Sequence, residues 1–127
     1  MNVMAFDIEA ARRNIHERSR RRKLALQALH RRAQTDADRI IHMVIERYRP
    51  IRVYQWGSVL REDRFREWSD IDIAVEGLSD PLDGLRAADD ASDLTSFPVD
   101  LVELDRIDPR HAETIRHEGR MVYERNE

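Results

Sequence analysis

About one third of this chain, from Phe6 to Tyr48, contains neither glycine nor proline. A run that long without a breaker, rich in Ala, Leu, Arg and Glu, predicts helix. Pro50 ends it. A chain of 127 residues that commits so much to helix has room for one further compact unit.

The helical stretch is not uniform. From Ala37 the apolar residues Ala37, Ile40, Ile41, Val44, Ile45 and Tyr48 recur at helical spacing, which predicts a buried stripe. Between Ile8 and Ala33 the stripe is thinner, through Ile8, Ala11, Ile15, Leu26, Leu29 and Ala33, and the run Arg20-Arg21-Arg22-Lys23 interrupts it. This divides the chain into an arginine-rich helical segment, 1–36, and a domain, 37–127. Thr35 and Asp36 either cap a second helix or lie within one long helix.

Beyond Pro50 the punctuation is dense. Ile51 to Trp56 is rich in β-branched and aromatic residues and predicts a strand, which Gly57-Ser58 breaks. Val59 to Arg66 predicts a short helix. Ile71 to Val75 predicts a strand closed by Gly77. Pro81 to Leu94 predicts a helix with Leu82, Leu85 and Ala88 on one face. Phe97 to Leu104 predicts a third strand. Pro109 to Glu118 predicts a last helix, with Gly119 as its C-cap and Met121 to Tyr123 as a short extended tail. The order helix, strand, short helix, strand, helix, strand, helix specifies an α/β (α+β) domain, helices against one small mixed sheet.

Composition removes several function classes. There are no cysteines, so disulfide frameworks, thiolate metal sites and cysteine nucleophiles are excluded. No apolar stretch is long enough to span a membrane, and no basic start followed by an apolar core marks a signal peptide. A cytoplasmic protein is the expectation. The net charge of -3 argues against coating nucleic acid by bulk charge, and no direct nucleic-acid binding is expected. The average hides a basic segment from Arg12 to Arg32 and an acidic one from Ser79 to Asp93. The arginine run reads first as a solvated helix face; its functional reading is a docking surface for an acidic partner or RNA.

Three elements carry chemistry. At Gly57-Ser58 a glycine lets the backbone approach a ligand, and a helix start beyond it would offer free N–H groups to phosphate. Ser58 adds a hydroxyl and Arg61 a charge about one turn on. In Ser69-Asp70-Ile71-Asp72-Ile73, strand alternation puts Asp70 and Asp72 on one face and the isoleucines on the other. Adjacent carboxylates repel unless a cation lies between them, and Mg²⁺ takes carboxylate oxygens while leaving positions for phosphate. In Pro98-Val99-Asp100-Leu101-Val102 one acid interrupts an apolar strand. A salt bridge to an arginine would account for Asp100. If its strand lies beside that of Asp70 and Asp72, the three acids converge and can hold two metals.

In this order the elements resemble the DNA polymerase β-like nucleotidyltransferase superfamily. Its pattern is an apolar residue, Gly-Ser or Gly-Gly, a spacer of about ten residues, Asp-apolar-Asp-apolar, and a third acid on a later strand. Here that is Trp56-Gly57-Ser58, Asp70-Ile71-Asp72-Ile73 and Asp100. Val53 to Arg61, Ser69 to Val75, Val99 to Val102 and the tail Ile115 to Glu124 are similar to the minimal nucleotidyltransferase (MNT) branch. The resemblance covers Arg39 to Glu124. It departs at Glu62, where members often carry glycine, and in the spacer Val59 to Ser69, which holds Phe65 and Trp68. Trp68 is a stacking candidate for a base, whereas Trp56 stands where the family has a plain apolar residue.

The resemblance implies the polymerase β-like fold, with the N-terminal helical segment outside its pattern. It implies Asp70, Asp72 and Asp100 as metal-holding catalytic residues, Gly57, Ser58, Arg61 and Ser69 on the nucleotide, Mg²⁺ as cofactor and ATP as substrate. MNT domains are often antitoxins of HEPN RNase toxins. The implied reaction is transfer of AMP to a tyrosine hydroxyl of the HEPN partner, which is thereby neutralised. Larger nucleotidyltransferases close a helical C-terminal domain over the substrate; here the expectation is that a partner supplies that wall in trans. Two rival readings stand beside it: a non-catalytic antitoxin that neutralises by binding alone, and a homodimer acting on a small-molecule alcohol. The scattered histidines suggest no site.

Overall fold

The computed structural model describes residues 7–126. Phe6, where the predicted helix begins, lies outside them. One helix, α1 (Ile8–Tyr48), accounts for the whole N-terminal stretch. At about 1.5 Å per residue it is about 60 Å long. Asp7 caps it, its carboxylate accepting from the Ala10 N–H at 3.0 Å. Arg49 ends it in the left-handed conformation (φ 48°), ahead of buried Pro50. Thr35 and Asp36 lie inside the helix and cap nothing. Asp36 instead accepts a hydrogen bond from the Thr95 hydroxyl at 2.7 Å, tying α1 to the loop before the third strand.

Burial along α1 starts at His30 and continues through Ala33, Ala37, Ile40, Ile41, Met43 and Val44. The turns before it form an arm; Ile15 is 61% exposed. No described helix is long and apolar enough to cross a membrane.

The remaining elements are β1 (Arg52–Trp56), β2 (Ile71–Glu76), α2 (Asp83–Ser92), β3 (Val99–Glu103), α3 (Pro109–Glu118) and β4 (Arg120–Glu124). They make a four-stranded mixed sheet in the order β3-β2-β1-β4. β1 runs antiparallel to β2 and β4, while β2 and β3 are parallel, joined through α2. The expected tail is thus a full edge strand. Gly119 does occupy the C-cap of α3, but in extended rather than left-handed backbone (φ -82°). Its glycine is needed for closeness: a side chain there would come within 2.6 Å of the Ile115 carbonyl and 2.9 Å of that of Gln55.

The expected helix over Val59–Arg66 is not α-helical. Two short 3₁₀ turns, Gly57–Leu60 and Glu62–Arg64, stand there, broken at Arg61 in extended backbone. A segment this short cannot sustain the four unpaired N–H groups and dipole of an α-helix start, which leaves the turn itself as the element that can meet a phosphate.

The sheet has two unequal faces. On one, Val53, Ile71, Ile73 and Val75 are fully buried beneath α1 and α2. On the other, Tyr54, Ala74 and Leu104 pack with Ala112 and Ile115 of α3, flanked by Trp56 and Val102. Burying one of these branched side chains contributes about 1.5–3 kcal/mol, so the first face dominates stability. α3 covers only part of the second face, and at its uncovered end the acids lie.

Candidate functional site

The register builds the site. In the parallel pair β2–β3, Asp72 lies directly opposite Asp100, and in the antiparallel pair β1–β2 it lies opposite Trp56. One row across the sheet therefore reads Trp56, Asp72, Asp100. Neighbouring strands are about 4.8 Å apart, so the two carboxylates are close neighbours. Asp70, just ahead of β2, belongs to the same face by alternation. Asp70 and Asp100 are exposed and Asp72 is half-buried. Their backbones are fixed by the ladder, with Ile71 donating its N–H to Pro98 at 2.8 Å.

The Gly57 turn closes over this row. Gly57 has φ 78°, and a methyl group on its Cα would overlap the Asp72 carboxylate. Only glycine satisfies both the left-handed backbone and the contact. Ser58, the next residue, is thereby held beside the acids. The turn is fixed from behind by His30: its Nε2 meets the Val59 carbonyl at 2.7 Å in a buried hydrogen bond, and its ring packs on Phe65 at 5.3 Å. Sequence reasoning gives His30 no role. A signal is nevertheless present, since His30 continues the buried series Ala33, Ala37, Ile40 and Val44 by one turn.

The electrostatics of the row are set by like charges. Burial, then the Asp100 and Asp70 carboxylates, push the Asp72 carboxyl up to about 6. The chain carries 22 lysines and arginines, yet none pairs with Asp70, Asp72 or Asp100 among the described residues. The salt-bridge alternative for Asp100 therefore has no support there. Three unneutralised carboxylates beside a glycine turn form a donor set suited to a hard divalent cation. They do not form a finished cage: among the described residues no three carboxylate or imidazole groups stand ready to hold a metal.

The Ser69 hydroxyl is buried and accepts from the Arg66 N–H at 2.9 Å, shaping the loop before β2. Arg61 is exposed. It lines a cleft of about 850 Å³ between α1 and the 3₁₀ turns, with Arg22, Lys23 and Leu26, and it lies 3.8 Å from Asp63. Trp68 is 73% exposed. Trp56 belongs to the site row as well as to the core: His111, on the first turn of α3, meets it edge-on at 5.8 Å, and its indole N–H is buried without a partner.

Comparison with known proteins agrees with this geometry. The family model described as polymerase beta, nucleotidyltransferase matches residues 38–127. A solved structure described as a minimal nucleotidyltransferase is 26% identical, with a TM-score of 0.57, covering 74% of this chain and 92% of that one. The MNT antitoxin complexed with a tri-AMPylated Shewanella oneidensis HEPN toxin shares the fold at 21% identity and a TM-score of 0.56, over 73% of each chain. A toxin–antitoxin structure with AMP-PNP shares it at 23% identity and a TM-score of 0.57, over 69% of this chain and 73% of that one. A search of curated proteins finds no match. With the family pattern matched over most of its length and the fold to go with it, the chain belongs to the polymerase β nucleotidyltransferase family.

Proposed function

We propose that this chain is a Mg²⁺-dependent adenylyltransferase antitoxin, which moves AMP from ATP to a tyrosine hydroxyl of a helical HEPN toxin in trans. The observation that carries the reading is the pairing of Asp72 with Asp100 beneath the Gly57 turn, with no cation to neutralise them among the described residues. The likeness in fold to an MNT antitoxin held with a tri-AMPylated toxin, and to a toxin–antitoxin structure with AMP-PNP, supports the acceptor class and the nucleotide.

In this reading Asp70 and Asp72 hold the cation that carries the triphosphate, and Asp100 shares the second. Bound there, the cations supply charge neutralisation and lower the proton affinity of the attacking hydroxyl. The turn N–H groups and the Ser58 hydroxyl orient the β- and γ-phosphates. The tyrosine oxygen forms a bond to the α-phosphorus as the bond from that phosphorus to the bridging oxygen breaks. Pyrophosphate leaves, and the phenol proton passes to Asp100 and on to solvent. Positioning and electrostatic stabilisation provide most of the acceleration.

The test is intact mass of the HEPN protein encoded beside this chain, after incubation with the chain, ATP and Mg²⁺. The expected result is a gain in whole AMP units, absent with Asp72→Asn. A complex that forms without any mass gain would move the conclusion to neutralisation by binding alone.

A further inference from the structure

The arm of α1 lies outside the family-matched region, which begins at residue 38. Between Arg12 and Lys23 it carries seven cations, against Glu9 and Glu17. Ile8 and Ile15, seven residues apart and so on one face of the helix, are 58% and 61% exposed. Arg12 and Arg18 flank that face, and neither has an ion-pair partner among the described residues. A helix that buries nothing is marginal in water, so this face calls for a cover that is both apolar and acidic.

The chain itself presents such a surface. On the outer side of α2, Leu82 and Leu85 are 51% and 74% exposed, followed one and two turns on by Asp89 and Asp93. Asp80 and Asp83 are engaged by Arg86, and Asp90 by Tyr48 and Arg47. Asp89 and Asp93 have no ion-pair partner among the described residues. The series Leu82, Leu85, Asp89, Asp93 follows helical spacing, as Ile8, Arg12, Ile15, Arg18 does. Beside α2, a groove of about 440 Å³ runs along α1, lined by Met43 and Leu94 and by the charged residues Asp38, Arg39, Glu46 and Arg47. Arm-on-arm pairing is disfavoured, because it would bring Arg12 and Arg18 of two copies together.

We propose that the arm docks on the α2 face of a second copy of this chain, giving a twofold dimer with two equivalent arm-to-α2 contacts. Both halves of the contact are on one chain, so each copy offers what the other lacks. The apolar residues supply burial, and the charges supply register and association rate. α2 packs on the sheet face opposite the acid row, so the proposal does not rest on the adenylyltransferase reading.

Charge reversal with rescue tests it by sedimentation velocity on the full chain across a concentration series. Wild type should dimerise, more weakly at high salt. Arg12→Glu with Arg18→Glu, and separately Asp89→Arg with Asp93→Arg, should each weaken the dimer by about tenfold or more. Basic residues suit the C-terminal end of α2, so the second pair should keep its helix, as circular dichroism will report. Mixing the two variants places the reversed arm on the reversed α2 and leaves the other contact native, which should restore dimer. A wild type that stays monomeric, a dimer indifferent to both reversals, or variants that fail to rescue each other on mixing would overturn the proposal. A monomeric wild type whose arm shifts a single-stranded RNA probe would place the arm on nucleic acid instead.

Discussion

Strand β2 carries two carboxylates on the same face, four residues apart, and the molecule treats them oppositely. Glu76 at one end is met by Arg52 at 3.6 Å and Arg116 at 3.5 Å. Asp72 at the other end is met by Asp100 and Asp70, and its carboxyl is raised rather than stabilised as an anion. Both are partly buried. The chain therefore does supply arginines where a carboxylate is structural, even though one oxygen of Glu76 remains without a hydrogen-bond partner. Among the described residues it supplies none at the opposite end of the same strand. A buried charge left uncompensated is costly unless something outside the chain compensates it, and on the proposed reading that compensation is an external cation at the Asp72 end.

The largest effect should separate the two ends outright. Asp72→Asn should lower AMP transfer by about a thousandfold or more, the scale of losing an electrostatic element made in the transition state. Glu76→Gln should leave transfer close to wild type. Initial rates by mass spectrometry or pyrophosphate release decide it; equal losses from both substitutions would erase the contrast.

Next comes the turn above Asp72. Gly57→Ala must accept a left-handed backbone, at about 1–2 kcal/mol, and push against the carboxylate as well. Transfer should fall by about a hundredfold, of which misplacement of the cation and phosphates is the greater part. Thermal denaturation should show only the smaller backbone cost. A large loss of stability with transfer intact per folded molecule would show that Gly57 serves the fold rather than the site.

At the other end, Glu76→Ala leaves Arg52 and Arg116 facing each other without their shared carboxylate. Because these arginines reach solvent, the cost should be modest, about 1 kcal/mol in urea denaturation, with transfer unchanged.

Most of the sheet could be seen in the sequence. The acids were legible because strand alternation and apolar neighbours leave little freedom: Asp70-Ile71-Asp72-Ile73 can bury its isoleucines only by turning its aspartates the other way. What depends on pairing between distant segments was less legible. The Asp72–Asp100 register and the Trp56 row depend on which strands become neighbours. The 3₁₀ turns replaced an expected helix because Gly57 and the extended Arg61 interrupt it. The same break sets Arg61 beside the cleft along α1, a placement that residue spacing does not specify. His30 went unseen because its polarity masked its place in an apolar series, and its value lies in a hydrogen bond to a carbonyl 29 residues on. The choice at Thr35–Asp36 between a cap and the interior of one long helix stayed open in the sequence, since residues suited to capping serve equally well inside a helix when a tertiary partner, here Thr95, takes up the side chain.

The finest test is the pH dependence of stability. An aspartate whose carboxyl stands at about 6 in the folded chain, against 3.8 ordinarily, binds its proton more tightly when folded. Between those two values the folded state holds more protons than the unfolded one, so this group's contribution falls as pH rises through the window. Above pH 6, ionised Asp72 is a net cost. A displacement of that size would correspond to about 3 kcal/mol for a fully buried group, but Asp72 is only half-buried, and screening by solvent brings the expectation to about 1 kcal/mol. Asp72→Asn should therefore be more stable than wild type by about that amount at neutral pH, and the gap should close below about pH 4. Added Mg²⁺ should close it too at neutral pH, by stabilising the ionised wild-type site and not the amide. Glu76→Gln should show no such gain, because its carboxylate is already met by Arg52 and Arg116. Should Asp72→Asn prove less stable than wild type at neutral pH without metal, Asp72 would be a structural anion like Glu76, and the contrast between the two ends of β2 would fail.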